Sequence, residues 1–155
     1  MTQTLKCQIM LKFLNMNEQN IKRKVQVVVV AQNEILLMEF NNEIPNNYVG
    51  FQNITGAVEE GENFLEAAIR ELNEEAGIES EVIELNLNFE FFDRWKKNCQ
   101  EKVYLCHLDK KPKIILNEEH LFYKWLPLNE IKESDFTFIS NFQAAIEAKK
   151  YLEQR

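Results

Sequence analysis

Three glutamates are spaced so that one helix would bring their carboxylates together. Glu71 and Glu74 are three residues apart, and Glu71 and Glu75 are four apart. At 3.6 residues per turn, both spacings place side chains on one helix face, where like charges cost an isolated helix roughly 0.2–0.5 kcal/mol per pair. A hard divalent cation would offset this repulsion, because Mg²⁺ binds oxygen ligands and is usually completed by substrate phosphates. The spacing therefore predicts a metal site.

The carboxylate spacing alone leaves an alternative open. An amphipathic helix in an acidic chain, with its glutamates in solvent, would show the same pattern. In either case the helical wheel predicts an apolar arc that faces the core. Its members are Phe64, Leu65, Ala68, Ile69 and Leu72. Gly77 is predicted to end the helix in the left-handed conformation.

A longer pattern surrounds these carboxylates in the segment GAVEEGENFLEAAIRELNEEAGI, residues 56–78. Five residues separate Gly56 from Glu62, and seven more precede the run that begins at Arg70. The segment resembles a complete Nudix box, with every fixed position filled. The residues at those positions are Gly56, Glu62, Arg70, Glu71, Leu72, Glu74, Glu75, Gly77 and Ile78.

The resemblance to the Nudix family implies both a fold and a reaction. The fold is an α/β/α sandwich with a mixed β-sheet, in which the box forms a loop–helix–loop unit. The reaction is hydrolysis of a nucleoside diphosphate linked to another group, with Mg²⁺ as the cofactor and Mn²⁺ able to substitute. In such a reaction metal ions neutralise the pyrophosphate and activate a water molecule. The implied partner is a small di- or triphosphate substrate.

The resemblance also assigns roles residue by residue. Glu71, Glu74 and Glu75 occupy metal-binding positions, and Glu62 occupies an auxiliary acidic position. Arg70 stands where the family's arginine orients a glutamate by an ion pair. The general base in this family is either a box glutamate or a glutamate on a later loop. Glu74 is therefore one candidate for the catalytic base.

Two stretches outside the box resemble one branch of the family, the bacterial dihydroneopterin triphosphate pyrophosphatases, also described as dATP pyrophosphohydrolases. They are FQNITGAVEEGE at residues 51–62, and EHLFYKWL at residues 119–126 followed by SNFQAAI at residues 140–146. In that branch the glutamate of Glu-His-Leu approaches the metal site, so Glu119 is a candidate remote ligand or base. The branch implies cleavage of a nucleoside triphosphate or dihydroneopterin triphosphate with release of pyrophosphate.

The sequence leaves open which residues contact the substrate and which reaction the protein catalyses. Phe51 stands where a tryptophan is common in the family, a departure that affects the substrate. Arg94 and Lys96 belong to a basic hairpin that could receive phosphate oxygens or serve solubility. His120 is expected to position Glu119. Hydrolysis of a dinucleoside polyphosphate or nucleotide sugar is a second possible reaction. A third reading is a catalytically idle nucleotide sensor, although such modules usually lose box carboxylates and none is missing here.

Apolar alternation and turn residues predict the sheet that must hold the box helix. The strands are expected in the ranges 5–13, 25–31, 35–40, 48–55, 83–91, 103–108 and 122–126, with a turn at Gln32-Asn33 and a basic hairpin loop at 94–100. A capping box formed by Ser140 and Gln143 is predicted to open a C-terminal helix. That helix should face inward with Phe142, Ala145, Ile146 and Leu152.

Length, charge and cysteine content predict the number of domains, the excluded partners and the compartment. The 155 residues predict a single Nudix domain spanning 1–155, with residues 1–20 as an N-terminal extension or extra strand. The net charge of −7 argues against a nucleic acid polymer or an anionic membrane as partner. Three cysteines without a paired motif and an N-terminus unlike a signal peptide predict a cytoplasmic protein.

Overall fold

A seven-stranded mixed sheet forms the centre of the protein in a computed structural model, which describes residues 2–10 and 21–155. The strands are β1 (Lys22–Ala31), β2 (Glu34–Phe40), β3 (Phe51–Gln52), β4 (Ile54–Ala57), β5 (Ile83–Phe92), β6 (Asn98–Leu108) and β7 (His120–Pro127). The helices are α1 (residues 3–10), α2 (Phe64–Ala76) and α3 (Ile139–Glu153), with short 3-10 helices at Leu128–Glu130 and Glu133–Asp135.

The sheet divides next to its central strand. β1 runs parallel to β6 along its whole length, and a tight turn with positive φ at Gln32 and Asn33 leads from β1 into β2. β1 and β2 pair only at Val30 with Ile35 and at Ala31 with Glu34. Beyond this point β4 pairs with β1, whereas β3 and β7 pair with β2. The two halves therefore separate, and we call the opening between them the split.

Helices cover both faces of the sheet. Side chains alternate between the faces of a strand, so Val27 and Val29 contribute to the core beneath α2, and Val28 and Val30 to the core beneath α3. A strand buried on both faces has a continuous apolar run, as β1 does from Val27 to Ala31. The predicted α/β/α sandwich with a mixed sheet is confirmed.

The predicted N-terminal strand is wrong for the described residues. Residues 3–10 are helical, and Leu11 and Phe13 lie outside the described part of the chain. Leu5 and Ile9 are four residues apart, a spacing that fits a helix as well as a strand. Both side chains are exposed. A helix satisfies its backbone hydrogen bonds within itself, whereas a strand needs a neighbour.

The β5–β6 hairpin is tighter than the sequence predicted. The Asp93 carboxylate accepts hydrogen bonds from the backbone N–H groups of Trp95 and Lys97, both at 2.9 Å. The turn therefore closes within residues 93–97, and β6 begins at Asn98 instead of near 103. This extension brings Glu101 into the strand.

The C-terminal helix starts differently from its prediction. α3 begins at Ile139, and its N-cap residue Phe138 makes no side-chain capping bond, so the predicted Ser140–Gln143 capping box is wrong. Of the predicted inward residues, Ala145 is buried, Phe142 and Leu152 pack against the core, and Ile146 is half-buried. Within the described residues, no helix is both long and apolar enough to cross a membrane.

Candidate active site

Defined caps hold α2 at both ends. The Asn63 side chain accepts a hydrogen bond from the Glu66 backbone at 2.8 Å, and the Glu66 carboxylate accepts one from the Asn63 backbone at 3.3 Å. Gly77 ends the helix at φ 69°, and its N–H donates to the Asn73 carbonyl at 2.8 Å. These caps hold the helix, and with it the carboxylates, in one register.

The buried face of α2 is rotated relative to the predicted apolar arc. Leu65 and Ile69 are 46% and 40% exposed, so their predicted core positions are wrong. Glu71 and Glu75 are buried instead. Small and apolar residues bring this face close to the sheet and turn its carboxylates towards the split. They are Ala67, Ala68, Leu72 and Ala76.

Gly56 in β4 allows one of these carboxylates to approach the sheet. An ideal Cβ built on Gly56 would overlap the carboxyl group of Glu71. A side chain of any size at this position would therefore push Glu71 away. The glycine is required by close approach, since Gly56 does not have a positive φ.

Arg70 anchors the acidic edge of α2. Its Nε and Nη2 atoms bind both carboxylate oxygens of Glu62, at 2.8 and 2.9 Å. Nη1 contacts Glu71 at 2.9 Å and Glu74 at 3.1 Å, and Nη2 also donates to the Ala57 carbonyl. The hydrogen bond to Arg70 lowers the pKa of Glu62. One guanidinium thus ties three acidic side chains to the strand.

The described residues contain one group of side chains that could hold a metal ion. Ligand atoms of Glu75, Glu119 and His120 all lie within 4.8 Å of one another. Glu75 is 2% exposed, and its Oε2 has no hydrogen-bond partner within the described part of the protein. The buried Nδ1 of His120 is likewise unpartnered there. Buried polar atoms normally have a partner, so these two mark a site for a ligand.

A short loop places Glu119 over this cluster. The Asn41 side chain donates to the Glu118 carbonyl, and its backbone N–H donates to the Glu119 carbonyl, both at 2.9 Å. The Glu119 N–H donates to the Asn117 side chain at 3.1 Å. On the opposite side, the Gln52 amide nitrogen lies 3.1 Å from His120 Nε2. The loop is thereby fixed at the start of β7.

The electrostatics of the site favour a bound cation. Burial, together with the charges of Glu71 and Glu119, raises the pKa of Glu75 well above its usual range. Burial raises the pKa of Glu71 to about 7, although Arg70 opposes the rise. Burial lowers the pKa of His120 and so favours its neutral form, which is the form that binds metals. Buried carboxylates beside a neutral imidazole fit a divalent cation.

A cavity of about 1020 Å³ begins at this cluster and extends over the α3 face of the sheet. Lys24, Phe89 and Glu101 lie on its strand floor. Tyr48 and Arg94 line it from two loops, where the Arg94 guanidinium lies 4.7 Å from the centre of the Tyr48 ring. The cavity is large enough for a ring system and a phosphate chain.

The structure brings some of the predicted site residues together and separates others. Glu75 and Glu119 meet in the cluster, and Glu71 is close enough to contribute to the raised pKa of Glu75. Glu74 points to Arg70 and its side chain is 54% exposed. Among the predicted substrate residues, Arg94 lines the cavity. Phe51 and Lys96 do not: Phe51 packs under Lys124, and Lys96 is exposed in the hairpin turn.

Two residues of this region were not identified from the sequence as ligating or binding groups. His120 was expected only to position Glu119, yet it contributes an atom to the cluster. No motif in the sequence marks Glu101 as a binding residue. A period-two pattern through Cys99, Glu101, Val103 and Leu105 places Glu101 on the core-facing side of a strand, and this pattern could have revealed it.

A family model described as the NUDIX domain matches residues 21–145 of the chain. The chain belongs to the Nudix family. Dihydroneopterin triphosphate diphosphatase of Escherichia coli strain K12 is 32% identical over 127 residues, covering 72% of this chain and 83% of that protein. Nudix hydrolase 6 of Arabidopsis thaliana is 32% identical over 96 residues, covering 56% of this chain, which spans only 34% of that protein.

Solved structures agree with this assignment. The E. coli dihydroneopterin triphosphate pyrophosphohydrolase superposes with a TM-score of 0.69 at 26% identity, covering 86% of this Nudix chain and 96% of that chain. A Caenorhabditis elegans Ap4A hydrolase reaches a TM-score of 0.72 at 20% identity, covering 86% and 99%, and this likeness concerns the fold. With an intact box and hydrolases as relatives, the chain is a Nudix pyrophosphohydrolase.

Replacing Gly56 by alanine tests the close approach of Glu71. The new Cβ would displace the Glu71 carboxyl group, and we expect hydrolytic activity to fall at least about tenfold, because misplaced catalytic groups lose rate steeply. Gly61→Ala is the matched control, since a Cβ there meets no atom within 4 Å although its φ is +79°. Equal activity losses in the two variants would contradict this account of Gly56.

The raised pKa of Glu71 predicts a pH-dependent stability in the absence of metal. The folded-state pKa of Glu71, about 7, exceeds the ordinary value of 4.5, so the folded protein binds this proton more tightly than the unfolded chain does. The stability that this difference gives the folded state is complete below pH 4.5 and is lost as the pH rises through 7. Across that range we expect the free energy of unfolding to fall by up to about 3 kcal/mol. Urea unfolding at a series of pH values in the presence of a chelator measures this free energy. In Glu71→Gln the free energy of unfolding should depend less on pH, and a variant with the same pH dependence as the wild type would refute the prediction.

Proposed function

We propose that the protein is an Mg²⁺-dependent hydrolase that cleaves a pyrophosphate bond in a nucleoside triphosphate or dihydroneopterin triphosphate and releases pyrophosphate. Mn²⁺ is expected to substitute for Mg²⁺. The observation that carries this proposal is the buried Oε2 of Glu75, which has no hydrogen-bond partner among residues 2–10 and 21–155 and lies next to Glu119 and His120 at one end of a large cavity. A carboxylate in that position calls for a cation, and the cavity can accommodate the rest of a substrate.

Each part of the site has a separate role in the proposed reaction. Glu71, Glu75 and Glu119 would hold the metal through carboxylate oxygens, with His120 beside them in the cluster, and Arg70 would keep Glu71 oriented. When bound, a divalent ion neutralises phosphate charge and lowers the pKa of a water molecule. The cavity binds the ring and excludes bulk water from the substrate. Its aromatic residues suit a flat ring, and this agrees with the substrate named for the E. coli relative.

Two glutamates are candidates for the general base. Glu74 is held by Arg70 at 3.1 Å and is not a member of the cluster, whereas Glu119 lies within it. A base must be within hydrogen-bond reach of the proton that it removes, directly or through one water. We therefore propose Glu119 as the base or remote ligand, and Glu74 as a residue that helps to position Arg70.

A reducing compartment agrees with the thiol chemistry. The three cysteines are free: Cys99 and Cys106 are buried and Cys7 is exposed. Free thiols persist where the glutathione and thioredoxin systems keep them reduced. This supports the proposal that the protein acts in the cytoplasm.

Metal dependence and the role of Glu75 can be tested together. The purified protein should release pyrophosphate from dGTP, dATP or dihydroneopterin triphosphate only with Mg²⁺ or Mn²⁺, and Glu75→Gln should lower kcat by at least about a hundredfold through loss of a charged ligand. Glu79→Gln, an exposed residue just beyond α2, is the control. A fully active Glu75→Gln variant would overturn the proposed site. Other products, identified by chromatography, would instead indicate a dinucleoside polyphosphate or nucleotide sugar as substrate.

The base is identified by comparing Glu119→Gln with Glu74→Gln. General base catalysis contributes typically 10²–10⁴-fold, so Glu119→Gln should lose about that much activity and also the acidic limb of its pH–rate profile. Glu74→Gln should retain the limb and most of the activity. The opposite result would assign the base to Glu74. An unchanged limb in both variants would mean that neither glutamate acts as the base.

A further inference from the structure

A buried carboxyl group on the cavity floor has no part in the proposed hydrolysis. Glu101 is 3% exposed and lines the cavity from the middle of β6. Its register partners are Lys24 on β1 and Phe89 on β5, so all three side chains share the α3 face of the sheet. A glutamate is almost never this deeply buried without a partner.

A chain of hydrogen bonds fixes the orientation of Glu101. Gln26 Nε2 donates to Glu101 Oε1 at 2.8 Å, while Gln26 Oε1 accepts from Asn53 Nδ2 at 2.7 Å. The Asn53 backbone N–H in turn donates to the Asn141 side chain on α3 at 2.7 Å. These three amide side chains are themselves buried. The carboxyl group is therefore held rigidly, with Gln26 acting as a donor to it.

The hydrogen bond from Gln26 and the charge of Lys24 do not fully compensate for the burial of this group. An ionised carboxyl offers about four lone-pair sites on two oxygens, and the bond from Gln26 uses one of them. Burial raises the pKa of Glu101, while the charge of Lys24 and the Gln26 hydrogen bond oppose the rise. Additional N–H donors from a ligand in the cavity would use the remaining acceptor sites and offset the desolvation.

Glu101 lies at a distance from the reacting phosphates. Thr55 of β4 lines the cavity where the Glu75 carboxylate meets the sheet, and β1 separates β4 from β6. Two spacings between strands amount to roughly 10 Å. Glu101 therefore faces the part of the substrate remote from the phosphates, namely its ring. The aromatic side chains of Phe89 and Phe91 lie beside it in the cavity.

We propose that Glu101 determines ring specificity, by accepting two adjacent N–H donors of a 2-amino-4-oxopyrimidine edge, as found in guanine and pterins. The inference rests on the proposed function and narrows its substrate class. The ring N–H and the exocyclic amino group match the two oxygens of one carboxylate. Adenine presents an amino donor next to a ring acceptor, and that acceptor would face a carboxylate oxygen. The same carboxyl group thus attracts one ring class and repels the other.

The Glu101→Gln variant reverses half of this pattern without changing the size of the side chain. Its amide offers one acceptor and one donor, which suit adenine better than guanine. With Mg²⁺ present, we expect wild-type protein to prefer dGTP over dATP. The ratio of kcat/KM for dGTP to that for dATP should fall about 10- to 100-fold in Glu101→Gln, mostly through KM. Glu90→Gln is the matched control, with the same charge change on neighbouring β5 but an exposed side chain on the opposite face.

Equilibrium binding of guanosine and adenosine separates this inference from the hydrolysis, because these nucleosides carry no phosphate and need no metal. Calorimetry should show tighter binding of guanosine to the wild type and loss of that preference in Glu101→Gln, with thermal unfolding as the check on folding. Equal binding of both nucleosides by the wild type would overturn the inference whatever the variants do. The inference would also be overturned if Glu101→Gln lost turnover of dGTP and of dATP to the same extent, because the preference between the two rings would then be unchanged. Absence of any turnover by a wild type that prefers guanosine would instead overturn the proposed function alone.

Discussion

Buried negative charge on one edge of α2 is the constraint to which the rest of the structure responds. Glu71 and Glu75 lie against the sheet, where removing carboxylates from water is costly. Arg70 compensates for Glu71 by direct contact, but Glu75 keeps an oxygen without a partner among the described residues. A fold that only needed to be stable would replace such residues with apolar ones. Their burial is explained if a cation completes the site.

The split in the sheet makes this burial possible. Because β1 and β2 pair over only two residue pairs, the strands separate and leave an opening between the halves. α2 covers the opening from one face, and Gly56 lets its carboxylate come close. The cavity lies on the other face and includes Glu75 in its lining. Carboxylates supplied by one layer of the sandwich are thus presented to the cavity on the opposite face of the sheet.

The cavity shows how an acidic protein can bind an anionic substrate. At one end the carboxylates of the cluster would bind cations, and such ions reverse the local sign of the field. At the other end Glu101 is suited to hydrogen-bond donors of a ring, while Lys24 and Arg94 contribute positive charge to the cavity lining. The net charge of −7 is therefore compatible with a polyphosphate substrate. Affinity depends on the local arrangement of charges more than on their sum.

Local rules were sufficient for much of the fold and for the box. The β1–β2 hairpin, α2 and the left-handed cap at Gly77 follow from turn residues, helical periodicity and a glycine, all of which act over a few residues. The acidic residues of the box were recognisable from the resemblance of the whole 56–78 segment to the Nudix box. They could be placed on one helix because helical geometry is fixed by the backbone.

Tertiary contacts decided the remainder. The wheel of α2 defined an apolar arc, but packing over the split turned Glu75 inwards and left Ile69 in solvent. The pairing of Glu119 and His120 with Glu75 depends on strands far apart in the chain, and the burial of Glu101 depends on a hairpin that Asp93 closes early. The sequence alone determined that the box glutamates and Glu119 were candidate metal ligands. Only the folded sheet decided which of them meet, because distances across strands are set by long-range pairing that no local pattern encodes.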